Sequence, residues 1–151
     1  MRKRTKRKVW DLVDTINFVI QGVHVSDDKI LDEVRMIELS AMDSFKRGMA
    51  TKEDWFTIVA MLNVAETTGK SGIGPEILPW CERLQKALIE SKERFERIGK
   101  FGFDGAGLNA MREVYEYHDL QRQSISRKEY ERQILKCRNK MISRSKDLTV
   151  I

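Results

Sequence analysis

The densest group of residues able to bind a metal ion or move a proton lies in the segment MREVYEYHD. It offers three carboxylates and one imidazole, from Glu113, Glu116, His118 and Asp119. Helix bundles that hold metals through carboxylates use Glu-x-x-His pairs on facing helices. That spacing is missing here, because His118 follows Glu116 by two residues. We therefore expect no metal, no cofactor and no catalytic residue, with His118 partly buried in a helix with one hydrogen bond and the carboxylates solvated.

The two cysteines, Cys81 and Cys137, are too few for a disulfide framework or a thiolate zinc site. Both fall on apolar helix faces, which predicts reduced, buried thiols. A cysteine nucleophile would need a base beside it, and the chain offers only His24 and His118.

Positive charge is concentrated at both ends of the 151-residue chain, whose formal net charge is +5. Residues 1–8 hold six basic residues and no acid, and residues 121–151 hold nine basic and three acidic residues. Residues 9–120 hold 13 basic and 20 acidic residues, a net charge of −7. Such asymmetry bears on partners rather than on the fold. The ends suit phosphates or an acidic protein surface.

Basic residues recur every four positions along the last predicted helix. Each step advances about 40° past a full turn, so this ridge winds across about 160° of the helix surface. The alternative interpretation is a solvated helix with cations favourably placed near its C-terminal end. Together with the N-terminal run, the ridge forms the candidate binding site for nucleic acid or an acidic partner: Arg2, Lys3, Arg4, Lys6, Arg7, Lys8, Lys128, Arg132, Lys136, Arg138, Lys140 and Arg144.

The elements that position these residues are helical, since the apolar residues repeat at three and four positions and no segment alternates with period two. We predict an all-α compact bundle of about six helices with short Gly-containing connections. A basic tail, residues 1–8, precedes a single helical domain, residues 9–151. The predicted helices are 8–21, one capped by Ser26 and stopped by Gly48, one from Thr51 to Gly69, one from Pro75 or Pro79 to about Ile98, 108–121 and 126–145.

The helix starts carry capping signals. Thr51 with Asp54, and Ser126 with Glu129, have the spacing of capping boxes, and Asp104 can cap the fifth helix.

The apolar stripes predict which residues form the core. The first predicted helix has Val9, Leu12, Val13, Ile16, Val19 and Ile20; the second has Ile30, Val34, Ile37, Ala41 and Phe45; the sixth has Tyr130, Ile134, Cys137 and Met141. Phe101 and Phe103, in a glycine-rich loop, are expected to close one end of the bundle. No apolar stretch is long enough to span a bilayer, and the N-terminus does not have the pattern of a secretory signal.

Two segments, GIGPEILPWCE (72–82) and YEYHDLQRQSISRKEYER (115–132), resemble sequences in small uncharacterised phage- and prophage-encoded helical proteins of Gram-negative bacteria. The resemblance runs along most of the chain, including the basic start before VWDLVD. It implies a small phage protein acting in the cytoplasm of an infected bacterium, and it carries over no active-site residue. Such proteins often act by binding, and they include inhibitors of CRISPR and other host defences.

We therefore expect a non-catalytic binding protein that occupies a surface of a host protein or nucleoprotein complex, with a CRISPR or other defence complex as the candidate. Its anionic middle could mimic nucleic acid at a basic groove. The alternative is a regulatory or packaging accessory that contacts the phosphates of DNA or RNA through its basic ends. A third hypothesis is an enzyme that uses His118 with a nearby carboxylate. No membrane partner is expected, and the sequence leaves the oligomeric state open.

Overall fold

A computed structural model describes residues 27–143 of the chain. Within this range the backbone forms five α-helices, one 3₁₀ turn and no strand, which confirms the all-α class. The predicted helix at 8–21 lies outside the described residues, and the part described here holds five helices rather than about six. The elements are α1 (Asp27–Lys46), α2 (Lys52–Lys70), the 3₁₀ turn (Pro75–Ile77), α3 (Leu78–Ile98), α4 (Gly105–Ser124) and α5 (Arg127–Ser143).

Helix α2 lies at the centre of the bundle. It is buried on nearly every side from Trp55 to Gly69, and the other four helices pack against it. A helix that is apolar all round is typical of such a central position. It begins as predicted, because the Thr51 hydroxyl accepts from the Asp54 N–H at 3.2 Å and the Asp54 carboxylate accepts from the Thr51 N–H at 2.8 Å.

The prediction that Gly69 ends α2 is wrong, since the helix continues for one more residue. A β-carbon at Gly69 would lie 2.8 Å from Cγ2 of Ile77 and 3.1 Å from Cδ2 of Leu78. The glycine is therefore a point of close contact, where the 3₁₀ turn packs directly on the helix. The chain turns instead at Gly72 and Gly74, whose φ angles are +92° and +59°.

The loop between α3 and α4 closes one end of the bundle with aromatic rings, as predicted. Phe101 stacks on Phe95 of α3 with ring centroids 4.2 Å apart, and Phe103 stacks on Phe45 of α1 at 4.3 Å. These two contacts attach the loop to α3 and α1 at once.

Helix α4 is longer than predicted at both ends, since Gly105–Ser124 replaces residues 108–121. Asp104 caps it as expected, with its carboxylate accepting from the Gly107 N–H at 2.7 Å. A β-carbon at Gly107 would lie 3.1 Å from Cβ of Ala87. The first turn of α4 can approach α3 this closely because Gly107 has no side chain.

The predicted inward side of α5 is buried, and it packs against α2. Tyr130, Ile134 and Cys137 are buried in a cluster with Val64 of α2, and Leu31 from the first turns of α1 packs against the same cluster. The N-terminal part of α1 therefore reaches the cluster that α2 and α5 share.

Only half of the capping box expected at the start of α5 forms. The Ser126 hydroxyl accepts from the Glu129 N–H at 3.1 Å. The Glu129 carboxylate instead accepts from Arg132 at 2.6 Å and from Gln133 at 3.0 Å. Competition from these two donors explains why it does not reach back to the backbone.

Candidate functional site

The ionisable residues of the MREVYEYHD segment do not form one site. On α4, Glu116 is exposed, Glu113 lies 3.6 Å from Arg112, and His118 and Asp119 face the bundle. Among the residues that the structure describes, no three His, Cys, Asp or Glu side chains converge so that they could hold a metal ion. Neighbours in the sequence separate here because each helical residue turns by about 100°.

His118 is completely buried, so the prediction of a partly buried ring is wrong. Its Nδ1 lies 2.8 Å from Oε1 of Gln121, and its Nε2 lies 3.5 Å from the Tyr130 hydroxyl oxygen. The Gln121 amide nitrogen donates to the carbonyl oxygens of Ile73 at 2.8 Å and Ala65 at 3.3 Å. Because the Gln121 oxygen must then accept, Nδ1 carries the proton of the neutral ring.

Burial lowers the pKa of His118 to about 3, and the charge of Arg122 lowers it further against the opposing hydrogen bond with Gln121. The ring is therefore neutral at physiological pH, shielded from solvent, with a polar partner at each nitrogen. A general base must be able to reach a substrate proton. This geometry does not favour the hypothesis of an enzyme built on His118.

Four charged side chains, which we call the charge quartet, join α1 to α4: Arg35, Glu38, Asp119 and Arg122. Glu38 and Arg122 form a buried ion pair at 2.8 Å. Arg122 also lies 3.1 Å from Asp119, and Nε of Arg35 donates to Asp119 at 2.7 Å. The two carboxylates and two guanidinium groups balance one another in charge and link α1 to α4 inside the bundle, so breaking one pair would leave a buried charge without a partner.

The pKa values within the quartet reflect burial and charge pairing. Burial raises the pKa of Glu38, although Arg122 opposes the rise. Burial alone would raise the pKa of Asp119, but the hydrogen bond from Arg35 and the two guanidinium charges hold that pKa below its usual value. The prediction of solvated carboxylates is therefore wrong for Asp119.

The sequence analysis did not identify Glu38 as a core residue, because the apolar residue beside it, Ile37, also fits the helical spacing of the core positions. The predicted α1 stripe contains Ile37, but Ile37 is 44% exposed and Glu38 is 3% exposed. A spacing of four residues from Val34 places Glu38 on the core side of α1. A charged residue at a core position is the signal that could have revealed the quartet, because an isolated buried charge requires a partner.

Three of the predicted binding cations lie on the exposed outer side of α5. Lys128 is exposed there, Arg132 donates to Glu129 at 2.6 Å, and Nζ of Lys136 donates to the Ser71 hydroxyl at 2.8 Å. Ser71 caps the C-terminal end of α2, where a positive charge is favourable. Lys136 therefore has a structural contact in addition to its predicted binding role.

Apolar side chains are interspersed with these cations. Leu135 is 52% exposed and Ile142 is 56% exposed, and their spacing of seven residues places both on the outer side of the helix. We call this surface the basic face: Lys128, Arg132, Leu135, Lys136 and Ile142.

The other predicted binding residues have different positions. Arg138 and Lys140 are half-buried on α5. Arg2, Lys3, Arg4, Lys6, Arg7 and Lys8, together with Arg144, lie outside the described residues. Of the predicted binding residues, the structure therefore describes only those on α5.

The outer side of α1 has the opposite charge. Met36 is 68% exposed, and Leu39, three residues further, is also exposed. Carboxylates surround them, and two of these are paired with arginines nearby in the chain, Asp32 with Arg35 at 3.1 Å and Asp43 with Arg47 at 2.9 Å. We call this surface the acidic face: Asp32, Glu33, Met36, Leu39 and Asp43.

The charges of the described unit cancel as a whole. Residues 27–143 contain 20 basic and 20 acidic residues, so the net charge of +5 lies in the flanking segments. Within the unit, α1 has a formal charge of −3 and α5 of +4. Charge separation is therefore a property of these two helices.

Cys81 and Cys137 are both buried and are not joined in a disulfide, as predicted for core thiols. None of the described helices is long and apolar enough to cross a membrane.

Comparison with known proteins finds no matching family model, no similar curated protein and no similar solved structure. The resemblance to phage-encoded proteins therefore stays a prediction.

Proposed function

We propose that this chain is a non-catalytic, phage-encoded binding protein that works in the cytoplasm of an infected bacterium. It occupies a surface of a host nucleic-acid machine, with a CRISPR or other defence complex as the candidate partner. The observation that carries the proposal is the acidic face of α1, where exposed apolar side chains lie among carboxylates.

The composition of the acidic face suits a groove that normally holds nucleic acid. From Asp32 to Asp43 the helix extends about 17 Å at 1.5 Å per residue. One DNA strand presents about five phosphates over that length. The face has only three carboxylates, so Met36 and Leu39 must supply apolar contact that phosphates cannot. Such a mixed surface favours a basic protein partner with an apolar floor.

The test is capture from nuclease-treated host lysate on the immobilised full-length protein, followed by elution with duplex DNA. We expect a nucleic-acid-binding protein that added DNA displaces, because both ligands occupy one groove. Glu33→Lys should weaken the capture at least tenfold. Glu93→Lys makes the same charge change at an exposed position of α3 and serves as the matched control.

Two outcomes would overturn the proposal. One is a captured protein that DNA does not displace. The other is equal capture by the Glu33→Lys and Glu93→Lys variants, since the acidic face would then not be the binding surface.

The second candidate is direct binding of DNA or RNA through the basic ends, and the specific observation in its favour is the charge of +4 on α5. Phosphate contacts make affinity fall steeply with salt. Replacing Lys128 and Arg132 by alanine should make that dependence shallower, whereas Lys86→Ala on α3 should not. Salt-independent or negligible binding of the full-length protein to both nucleic acids would eliminate this candidate.

A further inference from the structure

The four helices around α2 leave one of its sides without a described helix against it. Helix α3 meets α2 at Trp55, whose Nε1 donates to the Leu88 carbonyl oxygen at 3.0 Å, and α5 meets α2 at Val64. Nine residues separate Trp55 from Val64, so at about 100° per residue they lie on opposite sides of α2. The contacts with α3 and α5 therefore divide the circumference of α2 into two halves.

Helices α4 and α1 occupy one of these halves. The amide of Gln121 on α4 donates to the Ala65 carbonyl oxygen of α2 at 3.3 Å, about 80° around the helix from Trp55. The charge quartet holds α1 beside α4. The order around α2 is therefore α3, α4, α1 and α5. A neighbour of equal diameter covers about 60° of a helix, so these four cover about 240° and leave about 120°.

The side chains in the remaining arc are nevertheless buried. Val59, Asn63 and Glu66 lie there, about 20° to 80° from Trp55 on the side away from Ala65. Val59 is fully buried, and Asn63 and Glu66 are each 7% exposed. The structure consists of a single chain, so this side of α2 is covered by another part of the same chain.

The covered surface extends onto α3. Gln85 and Ala87 point to different sides of that helix, because two residues along a helix turn by about 200°. Ala87 faces Gly107 of α4, so Gln85 lies on the side away from α4, and it is only 5% exposed. We call this surface the α2–α3 groove: Val59, Asn63, Glu66 and Gln85.

We propose that residues 9–21, which lie outside the described range, form a further helix that docks in the α2–α3 groove. The apolar stripe of this segment, from Val9 to Ile20, is about 17 Å long as a helix, the same length as α2 from Phe56 to Thr67. Residues 144–151 are also outside that range, but their apolar side chains are confined to the last four positions. This docking is independent of the proposed function.

The groove suits an apolar cover because its central polar side chain bonds within its own helix. Nδ2 of Asn63 donates to the Val59 carbonyl oxygen at 2.7 Å. Buried polar groups need such partners. An apolar stripe can therefore pack over Asn63 without depriving this amide of its acceptor.

The connection to α1 fixes the direction of the docked segment. Helices α1 and α2 are joined by a short connection and run antiparallel, so Asp27 lies near the C-terminal end of α2. Residues 22–26 reach about 17 Å when extended, which is nearly two helix diameters of about 10 Å. Residue 21 then lies near the end of α2, and residue 9 lies near its start. The basic tail, residues 1–8, is thereby carried to the end of the bundle that the aromatic loop closes.

Paramagnetic relaxation in the full-length protein tests the docking and its direction. Lys52 is exposed at the start of α2, about 60° from Trp55 on the groove side. A nitroxide on Lys52→Cys should reduce the amide signals of residues 9–14 by more than half, and those of residues 18–21 less. The native cysteines are buried. A nitroxide on Glu116→Cys, at an exposed position of α4, is the matched control and should leave these signals unchanged.

Matched substitutions test whether the apolar stripe makes the contact. Ile16→Asp places a charge within the stripe and should reduce the signal loss seen from position 52 at least twofold. Asn17→Asp adds the same charge at the next position, outside the stripe, and should leave that loss unchanged. A mixture of isotope-labelled protein without nitroxide and unlabelled protein with nitroxide at position 52 should show no loss, because the contact lies within one chain.

Several results would overturn the proposal. They are absence of signal loss from position 52, an equal loss from position 116, and equal effects of Ile16→Asp and Asn17→Asp. Loss confined to residues 144–151 would show that the C-terminal segment covers the groove, and loss in the mixed sample would indicate a second copy. No host protein is present in these measurements, so their failure would leave the proposed function standing.

Discussion

The residues most suggestive of chemistry serve to hold the bundle together. His118 is neutral and enclosed, with Gln121 at one nitrogen and Tyr130 near the other. Asp119 is fixed by Arg35 and Arg122. A cluster of ionisable residues in a sequence therefore does not by itself indicate a reaction, because the fold can separate its members and pair them with other residues.

The charge quartet should make the free energy of unfolding sensitive to the loss of one partner of the buried Glu38–Arg122 pair. Arg122→Met leaves Glu38 buried without its counter-ion, so we expect the free energy of unfolding to fall by about 3–5 kcal/mol. The double variant Glu38→Leu, Arg122→Met leaves the Arg35–Asp119 pair balanced and should lose less than Arg122→Met alone. Urea unfolding measures both. A double variant less stable than the single variant would contradict the charge-balance argument.

His118 makes the protein sensitive to acid. The pKa is about 3 in the folded state and about 6.5 in an unfolded chain, so between these values the unfolded state binds more protons. The free energy of unfolding should then fall as pH drops from about 6.5 towards 3, by up to about 1.4 kcal/mol per pH unit. Glu38, whose pKa is raised, acts in the opposite direction over part of this range.

Comparison with a variant isolates the contribution of His118. His118→Gln cannot be protonated, so its free energy of unfolding should depend less on pH over the same range. Chemical unfolding at several pH values provides the measurement. Parallel pH profiles for the two proteins would show that His118 is not the group responsible.

At the scale of the element, the sequence predicted most starts of helices and fewer of their contacts. Thr51 and Asp104 cap their helices as expected, because capping depends on residues within one turn. The role of Gly69 was predicted wrongly, because it depends on the packing of Ile77 against Gly69, a contact that exists only in the folded chain. The Glu38–Arg122 pair joins residues 84 positions apart and could not be derived from local spacing.

Two glycines in the first turn of α4 give a matched pair for testing helix contact. A β-carbon at Gly107 would crowd Ala87 at 3.1 Å, whereas one at Gly105 would meet nothing within 4 Å. We expect Gly107→Ala to destabilise the protein by about 1–3 kcal/mol through overpacking. Gly105→Ala should be neutral or stabilising, since alanine favours helix. Thermal unfolding that ranks the two variants equally would contradict this close approach.

At the scale of the whole molecule, the charge asymmetry has a definite location. The sequence predicted two cationic ends around an anionic body, and the described unit is neutral with opposite charges on α1 and α5. Many charges are paired along single helices, as in Lys92–Glu96 at 3.1 Å on α3 and Arg132–Glu129 at 2.6 Å on α5. Exposed pairs of this kind contribute little to stability. Composition revealed the asymmetry, but only the fold could assign it to particular surfaces.

Chemical labelling of carboxylates, with and without the captured host protein, tests the central claim most directly. A water-soluble carbodiimide and an amine modify exposed carboxylates, and mass spectrometry locates the sites. We predict that complex formation protects Asp32, Glu33 and Asp43, while Glu82 and Glu93 on α3 stay as reactive as in the free protein. Protection confined to α3, or no protection on α1, would contradict the account that the acidic face binds the partner.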